Sequence, residues 1–300
     1  MNLFADCEAE RRVENIVNVA SVPQRSPFRY PGGKTWLVPI VRKWLKNRGA
    51  RELVEPFAGG GIVSLTVAFE ELTKCVTMVE FDDQVAAVWR TIFNGGAQRL
   101  ADRIVNFTMT LDNVQAVLSK SNVSDEEFAF QTILRNRVSH GGILAPGSGL
   151  LKYGENGKGL KSRWYADTLY KRITNINHIR NNVSFIHGDG MKVMLDNREK
   201  KDVVYFIDPP YTAAGKKAGS RLYTHSELNH EYLFQITASM EGDFLMTYDN
   251  AGGVKDLALQ HNFDMEPVSM KNTHHAEMTE LLIARDLDWV RRDPSQLIAS

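Results

Sequence analysis

The chain has 300 residues, 43% apolar and 24% charged, with 36 basic and 36 acidic side chains, a globular composition sufficient for one large α/β domain with an insertion or for two modest domains. The even charge excludes a molecule whose whole surface clamps a polyanion, although it leaves room for a local basic face. Two cysteines as far apart as Cys7 and Cys75 exclude a disulfide framework and a thiolate metal cluster, and no run approaches the about 18–20 apolar residues that cross a bilayer. Met1 to Gln24 mix acids and bases without the apolar core of a secretory signal, so a reducing, cytoplasmic setting with no membrane partner is expected.

Residues 1–26 read as an appended arm containing a short amphipathic stretch. Leu37, Ile40, Val41, Trp44 and Leu45 recur at helical spacing after the loop Tyr30-Pro31-Gly32-Gly33-Lys34. Glu52-Leu53-Val54-Glu55 is a short strand running into Pro56-Phe57-Ala58-Gly59-Gly60-Gly61, and Ile62 to Phe69 follows as a helix. A second strand, Cys75 to Val79, ends at Glu80, with a helix from Gln84 to Phe93 behind it. Strand, glycine turn, helix, strand and acid is the order of a nucleotide-binding βαβ unit. Helical patterns continue over Ala101 to Lys120 and Asp125 to Asn136, after which seven glycines between Gly141 and Gly159 predict loops or hairpins on a separate lobe. A helical stretch from Trp164 to Ile179 leads back to strands at Val183 to His187, Val203 to Ile207, Phe244 to Thr247 and Leu281 to Ala284. Helices around Leu228 to Ser239 and Val254 to Leu259 separate the later strands, and the alternation predicts an α/β fold with a mostly parallel sheet covered on both faces.

Asp208-Pro209-Pro210-Tyr211 directly follows the Val203 to Ile207 strand, where open parallel sheets bind their ligands. The tetrapeptide suits a planar exocyclic amine, whose lone pair is delocalised into its ring. Acceptors aimed at the amine hydrogens pull the nitrogen toward tetrahedral geometry, and the Asp208 side chain and the Pro209 carbonyl are two such acceptors. Tyr211 offers a flat ring on which an extruded base can stack. The plainer alternative is a proline-stiffened turn closing a buried strand. In the glycine turn, the third glycine of a nicotinamide-type Gly-x-Gly-x-x-Gly would stand where Ser64 stands. An acid ahead of the turn and no third glycine fit an adenosylmethionine site better, with Glu80 placed for the ribose hydroxyls. Gly33-Lys34-Thr35 fails as a P-loop, because Phe28 holds the position of the required glycine. That loop instead suits folding over a donor, with Lys34 meeting its carboxylate and Tyr30 stacking nearby. Adjacent His274 and His275 do not easily ligate one ion together, and no metal is expected.

Phe28-Arg29-Tyr30-Pro31-Gly32-Gly33-Lys34, then Glu55 to Gly61, then Asp208 to Tyr211, in this order, resemble the Dam-like family of adenine-specific DNA methyltransferases. The resemblance runs from about Phe28 to Ala284 and implies a Rossmann-like class I methyltransferase fold with S-adenosylmethionine as methyl donor. It implies a donor-binding catalytic domain over residues 27–95 and 183–286, an inserted target-recognition lobe over 96–182, and a tail over 287–300. By matching position, Tyr30, Lys34, Phe57, Gly59, Gly61 and Glu80 hold the donor, Asp189 bonds its adenine, and Asp208, Pro209, Pro210 and Tyr211 hold the target base. The expected reaction is transfer to the N6 amine of a flipped-out adenine in duplex DNA. The alternatives are the cytosine N4 amine, an adenine in RNA, or a silent binding protein of the same fold. A cognate restriction endonuclease is a candidate partner. In the middle lobe the family's Asn-Gly-x-x-Arg-x-Asn-like stretch is replaced by Arg135-Asn136-Arg137-Val138-Ser139-His140-Gly141-Gly142.

Between Arg135 and Arg180 stand nine basic residues against only Glu155 and Asp167, a bias suited to phosphate contact. Arg135 and Arg137 are the candidates for base-edge contacts, and Lys152, Lys158, Lys161 and Arg163 for phosphates. Lys216, Lys217 and Arg221 form a second basic stretch after the catalytic turn.

Overall fold

The computed structural model describes residues 22–29, 33–46, 48–144, 148–151, 157, 159–210, 228–271 and 277–291. A 3-10 turn, Lys34–Leu37, leads into α1 (Val38–Lys46), and then come β1 (Glu52–Glu55), α2 (Ile62–Phe69), β2 (Cys75–Glu80) and α3 (Asp83–Thr91). A π-type turn, Ile92–Gly96, precedes α4 (Ala97–Asn106), α5 (Leu111–Leu118), α6 (Asp125–Val138) and α7 (Ala166–Ile176). The chain continues through β3 (Val183–His187), α8 (Gly190–Asp196), β4 (Val203–Ile207), α9 (His230–Ser239), β5 (Asp243–Asp249) and α10 (Gly252–Gln260). It closes with β6 (Asp264–Lys271), β7 (Glu277–Ala284) and a short helix, Asp288–Arg291.

The seven strands form one sheet in the order β3-β2-β1-β4-β5-β7-β6. The first five are parallel, and β7 runs antiparallel between β5 and β6. This is the Rossmann-like arrangement expected from the sequence, with β1 central because chain order runs outward from it in both directions. The reversal makes the crevice beyond the carboxyl ends of β1 and β4 the switch point where such sheets take their ligands. β4, Val-Val-Tyr-Phe-Ile, is buried at every position, as a central parallel strand covered on both faces must be.

The two faces have separate cores. Leu53, Val76, Met78, Val204, Phe206 and Leu245 point toward α1, α2 and α3, whereas Val54, Tyr205, Ile207, Phe244, Met246 and Tyr248 point toward α8, α9 and α10. Each fully buried Leu, Val or Phe contributes about 1.5–3 kcal/mol. The helices of the inserted segment, α4 to α7, belong to the first core. Phe130, Ile133 and Leu134 of α6 and Leu169 and Ile173 of α7 join one cluster with Trp89 of α3.

Local chemistry sets the boundaries. Asp82 caps α3, its carboxylate accepting from the N–H groups of Gln84 at 2.9 Å and Val85 at 3.0 Å. The helical stretch expected over Ala101 to Lys120 is two helices, because Thr110 caps a new one by accepting from the Asn113 N–H at 3.2 Å. The glycine-rich segment after α6 turns back on itself, with Leu151 N–H donating to the Val138 carbonyl at 2.8 Å.

Candidate active site

The glycine turn after β1 is fastened to the end of β2. Gly59 and Gly61 adopt φ of +47° and +65°, in the left-handed region that favours glycine. The Gly59 N–H donates to Glu80 Oε2 at 2.7 Å, and the indole of Trp89 donates to the Gly59 carbonyl at 2.9 Å. A Cβ on Gly61 would lie 2.6 Å from the Met78 methyl, which would have to move aside, and the left-handed φ strains any side chain there in addition. Phe57 is partly buried against the second core.

Glu80 accepts a second backbone N–H, from Asp82, at 2.8 Å. Burial pushes its carboxyl up to about 7, against the opposing pull of the Asp82 and Gly59 N–H groups. The next residue, Phe81, is 55% exposed although aromatic. β2 and β3 pair Glu80 with His187, which brings Asp189, the cap of α8, to the same edge. A buried carboxylate, an exposed ring and a second carboxylate fit an adenosine. Glu80 would take the ribose hydroxyls, Phe81 the face of the purine and Asp189 its amine. Glu55, ahead of the turn, instead fastens α2 to the end of β1, its carboxylate accepting the Ser64 N–H at 3.0 Å in the first turn of that helix. Burial raises Glu55 to about 8.

Asp208 stands one residue beyond β4, at the switch point. Its Oδ1 lies 3.0 Å from the Lys34 ammonium and accepts from the Thr247 hydroxyl at 2.8 Å. Lys34 is 3% exposed, and its ammonium also lies 3.3 Å from Glu280 Oε2. The sequence places Lys34 at the donor carboxylate, and in the structure its ammonium also lies against these two acids. Buried beyond the carboxyl end of β4, the ammonium compensates charges that would be costly to leave alone. Glu280 was missed in the sequence because β5–β7 pairing places it, opposite Asp249. Burial lifts Glu280 to about 7, with Lys34 pulling down and Asp208 and Asp249 pushing up. Tyr248, buried beside them, is raised by burial and then by Asp249 and Asp208, and its hydroxyl shares a hydrogen bond of 2.8 Å with His230 Nδ1. Pro209 is buried and Pro210 half-buried.

The basic lobe divides on inspection. Arg135 is half-buried and reaches Gln84 Oε1 at 3.4 Å; Lys161 is exposed and Arg163 partly buried. Arg137 corrects the sequence reading. At 3% exposure it cannot reach a base edge, and its guanidinium donates to the Pro27 carbonyl. Burial lowers it to about 9, followed by repulsion from Arg172 and Arg29. Helical spacing could have found this, since Phe130, Ile133, Leu134 and Arg137 stand at i, i+3, i+4 and i+7, one apolar stripe. Tyr30, Tyr211, Lys152, Lys158, Lys216, Lys217, Arg221, His274 and His275 lie outside the described residues. Asp264, Asp286 and Asp288 bring carboxylate oxygens within 4.8 Å of one another, but at the opposite sheet edge, with Arg291 across them.

No helix among the described residues is long and apolar enough to cross a membrane. No curated protein matches the chain. Among solved structures it is similar to a methyltransferase from Geobacter sulfurreducens, at 12% identity over 86% of this chain and 80% of that one, with a TM-score of 0.39. It is also similar to the rRNA methyltransferase aviRa from Streptomyces viridochromogenes, at 12% identity over 88% and 89% of the two chains and a TM-score of 0.35. Precorrin-6y C5,15-methyltransferase from Geobacter metallireducens is 10% identical over 82% and 83%, with a TM-score of 0.34. Residues 30–134, from the loop before Lys34 through most of α6, match the family model of the D12 class N6 adenine-specific DNA methyltransferases, and this match supports an S-adenosylmethionine-dependent methyltransferase.

Proposed function

We propose that the chain transfers a methyl group from S-adenosylmethionine to the N6 amine of a flipped-out adenine in duplex DNA. The observation that carries this reading is the meeting of two elements at the switch point. Asp208-Pro209-Pro210 closes β4 beside the β1 glycine turn, with Lys34 and Thr247 holding Asp208 Oδ1. S-adenosylmethionine, when bound, supplies an electrophilic methyl on a sulfonium. Gly59, Glu80, Phe81 and Asp189 hold its adenosyl part. Asp208 and the Pro209 carbonyl accept the two N6 hydrogens, which frees the amine lone pair, and Asp208 is placed to take the departing proton. Because Lys34 and Thr247 fix the carboxylate beforehand, the site gains mainly from orientation and preset charge. The D12 family match supports adenine and DNA as the substrate, exposed Lys161 with Arg163 suits phosphate contact, and half-buried Arg135 stays the candidate for a base edge.

Replacing Asp208 with Ala tests the reading. Transfer to duplex DNA should fall below detection while donor affinity stays within about threefold, since the acceptor serves the amine. Transfer at the wild-type rate would contradict the assignment.

A further inference from the structure

Two of the three side chains in Arg135-Asn136-Arg137 turn inward, onto the segment from Ser26 to Arg29. Asn136 is 0% exposed and uses both ends of its amide. Its Oδ1 accepts the Arg29 N–H at 2.9 Å, and its Nδ2 donates to the Arg29 carbonyl at 2.9 Å and the Gly142 carbonyl at 2.7 Å. The side chain thus pairs with both backbone groups of one residue, as a neighbouring strand would. Arg137 takes the Pro27 carbonyl and Arg172 of α7 takes the Ser26 carbonyl at 3.0 Å. Gly142 closes the clasp, where a Cβ would lie 2.5 Å from the Arg29 carbonyl oxygen.

The clasped segment touches the donor half of the site. Phe28 packs edge-on against Trp89, ring centroids 5.5 Å apart, and Trp89 holds the Gly59 carbonyl of the donor turn. Arg29 directly follows Phe28 in the chain, so a shift of its backbone moves the ring that packs on Trp89. We infer that Asn136 is a positioning residue: by holding the Arg29 backbone it sets the neighbouring Phe28 against Trp89, which carries the Gly59 turn, tying helix α6 of the basic lobe to the donor side of the reacting centre. The inference rests on the methyltransferase reading for what is positioned.

The test compares Asn136→Ala and Asn136→Asp with the wild type in three measurements: single-turnover transfer at saturating DNA and donor, donor affinity by calorimetry, and DNA affinity by anisotropy. Aspartate can accept the Arg29 N–H but cannot donate to the two carbonyls, so it should fail as alanine does. Transfer should slow about 10- to 100-fold, because small misplacements at a reacting centre cost that much. Donor affinity should weaken several-fold, with DNA affinity within about twofold, as only interactions at the reacting centre are disturbed. Should either variant fail to fold, Arg172→Met removes one clasp contact from a half-buried position, and the same pattern is expected at smaller size. A lowered melting temperature with wild-type transfer and donor affinity would overturn the inference, leaving a purely structural Asn136. Lost DNA affinity with unchanged transfer at saturation would also overturn it. Donor affinity is read without turnover, so a weakened donor site in a protein that methylates no DNA would uphold the positioning and reject the proposed substrate instead.

Discussion

Lys34→Met removes the ammonium from between Asp208, at 3.0 Å, and Glu280, at 3.3 Å. Lysine and glutamate side chains here are 3% and 7% exposed, so the carboxylate left behind cannot be rehydrated in place. Removing one partner of such a buried pair costs about 3–5 kcal/mol. Asp208, at 22% exposure, regains some water, which places the bulk of the cost on Glu280. Replacing Glu280 with Gln as well removes that stranded charge, so the double variant should recover about 1–3 kcal/mol of the Lys34→Met loss. The sign with pH is fixed. Burial already raises Glu280 to about 7, and without Lys34 its carboxyl climbs further. An acid raised in the folded state binds protons more tightly than the unfolded chain does, so its stabilising contribution is lost as pH rises. The Lys34→Met deficit should therefore grow between pH 6 and pH 8, by up to about 1.4 kcal/mol per pH unit. Urea unfolding of the wild type, both single variants and the double variant at the two pH values measures all of this. Single losses that add in the double variant to within about 0.5 kcal/mol would show two uncoupled side chains and refute the reasoning.

Glu80 gives a prediction in the opposite sense. Its carboxyl, lifted to about 7, accepts both ribose hydroxyls best when ionised, so donor affinity should rise about three- to tenfold from pH 6 to pH 8. Glu80→Gln should bind the donor more weakly at pH 8 and lose that dependence; calorimetry showing the same slope in the variant would take Glu80 off the ribose. The arginine and lysine of the lobe should part company in DNA titrations. Lys161→Glu should cut the slope of log affinity against log salt by roughly one or more. Arg137→Met, buried against the Pro27 carbonyl, should lower the melting temperature and leave that slope as it was.

Much of the sheet was legible because parallel strands buried on both faces are short unbroken apolar runs, as Val203 to Ile207 is. The glycine turn and Asp208 were legible for a related reason: both sit directly after such runs. β6 was not, since Asp264–Lys271 carries Pro267 and mixed polarity, the pattern of an edge strand. α8 was missed because seven residues give too little periodicity, although Asp189 before it is a good cap. Glu280 was missed for a deeper reason: its meaning comes from the register that sets it beside Asp249, across a pairing that no local pattern encodes. For Arg137 and Asn136, charge and divergence from the family's stretch mask a helical phase that points both inward.

The most direct test of the central claim is transfer of labelled methyl from S-adenosylmethionine to unmethylated duplex DNA, with nucleoside analysis of the product. The label is expected in 6-methyladenine, and its loss in the Asp208→Ala protein would tie that product to the turn after β4. Label in 4-methylcytosine, or in RNA offered beside the duplex and not in DNA, would contradict the proposed base or the proposed polymer.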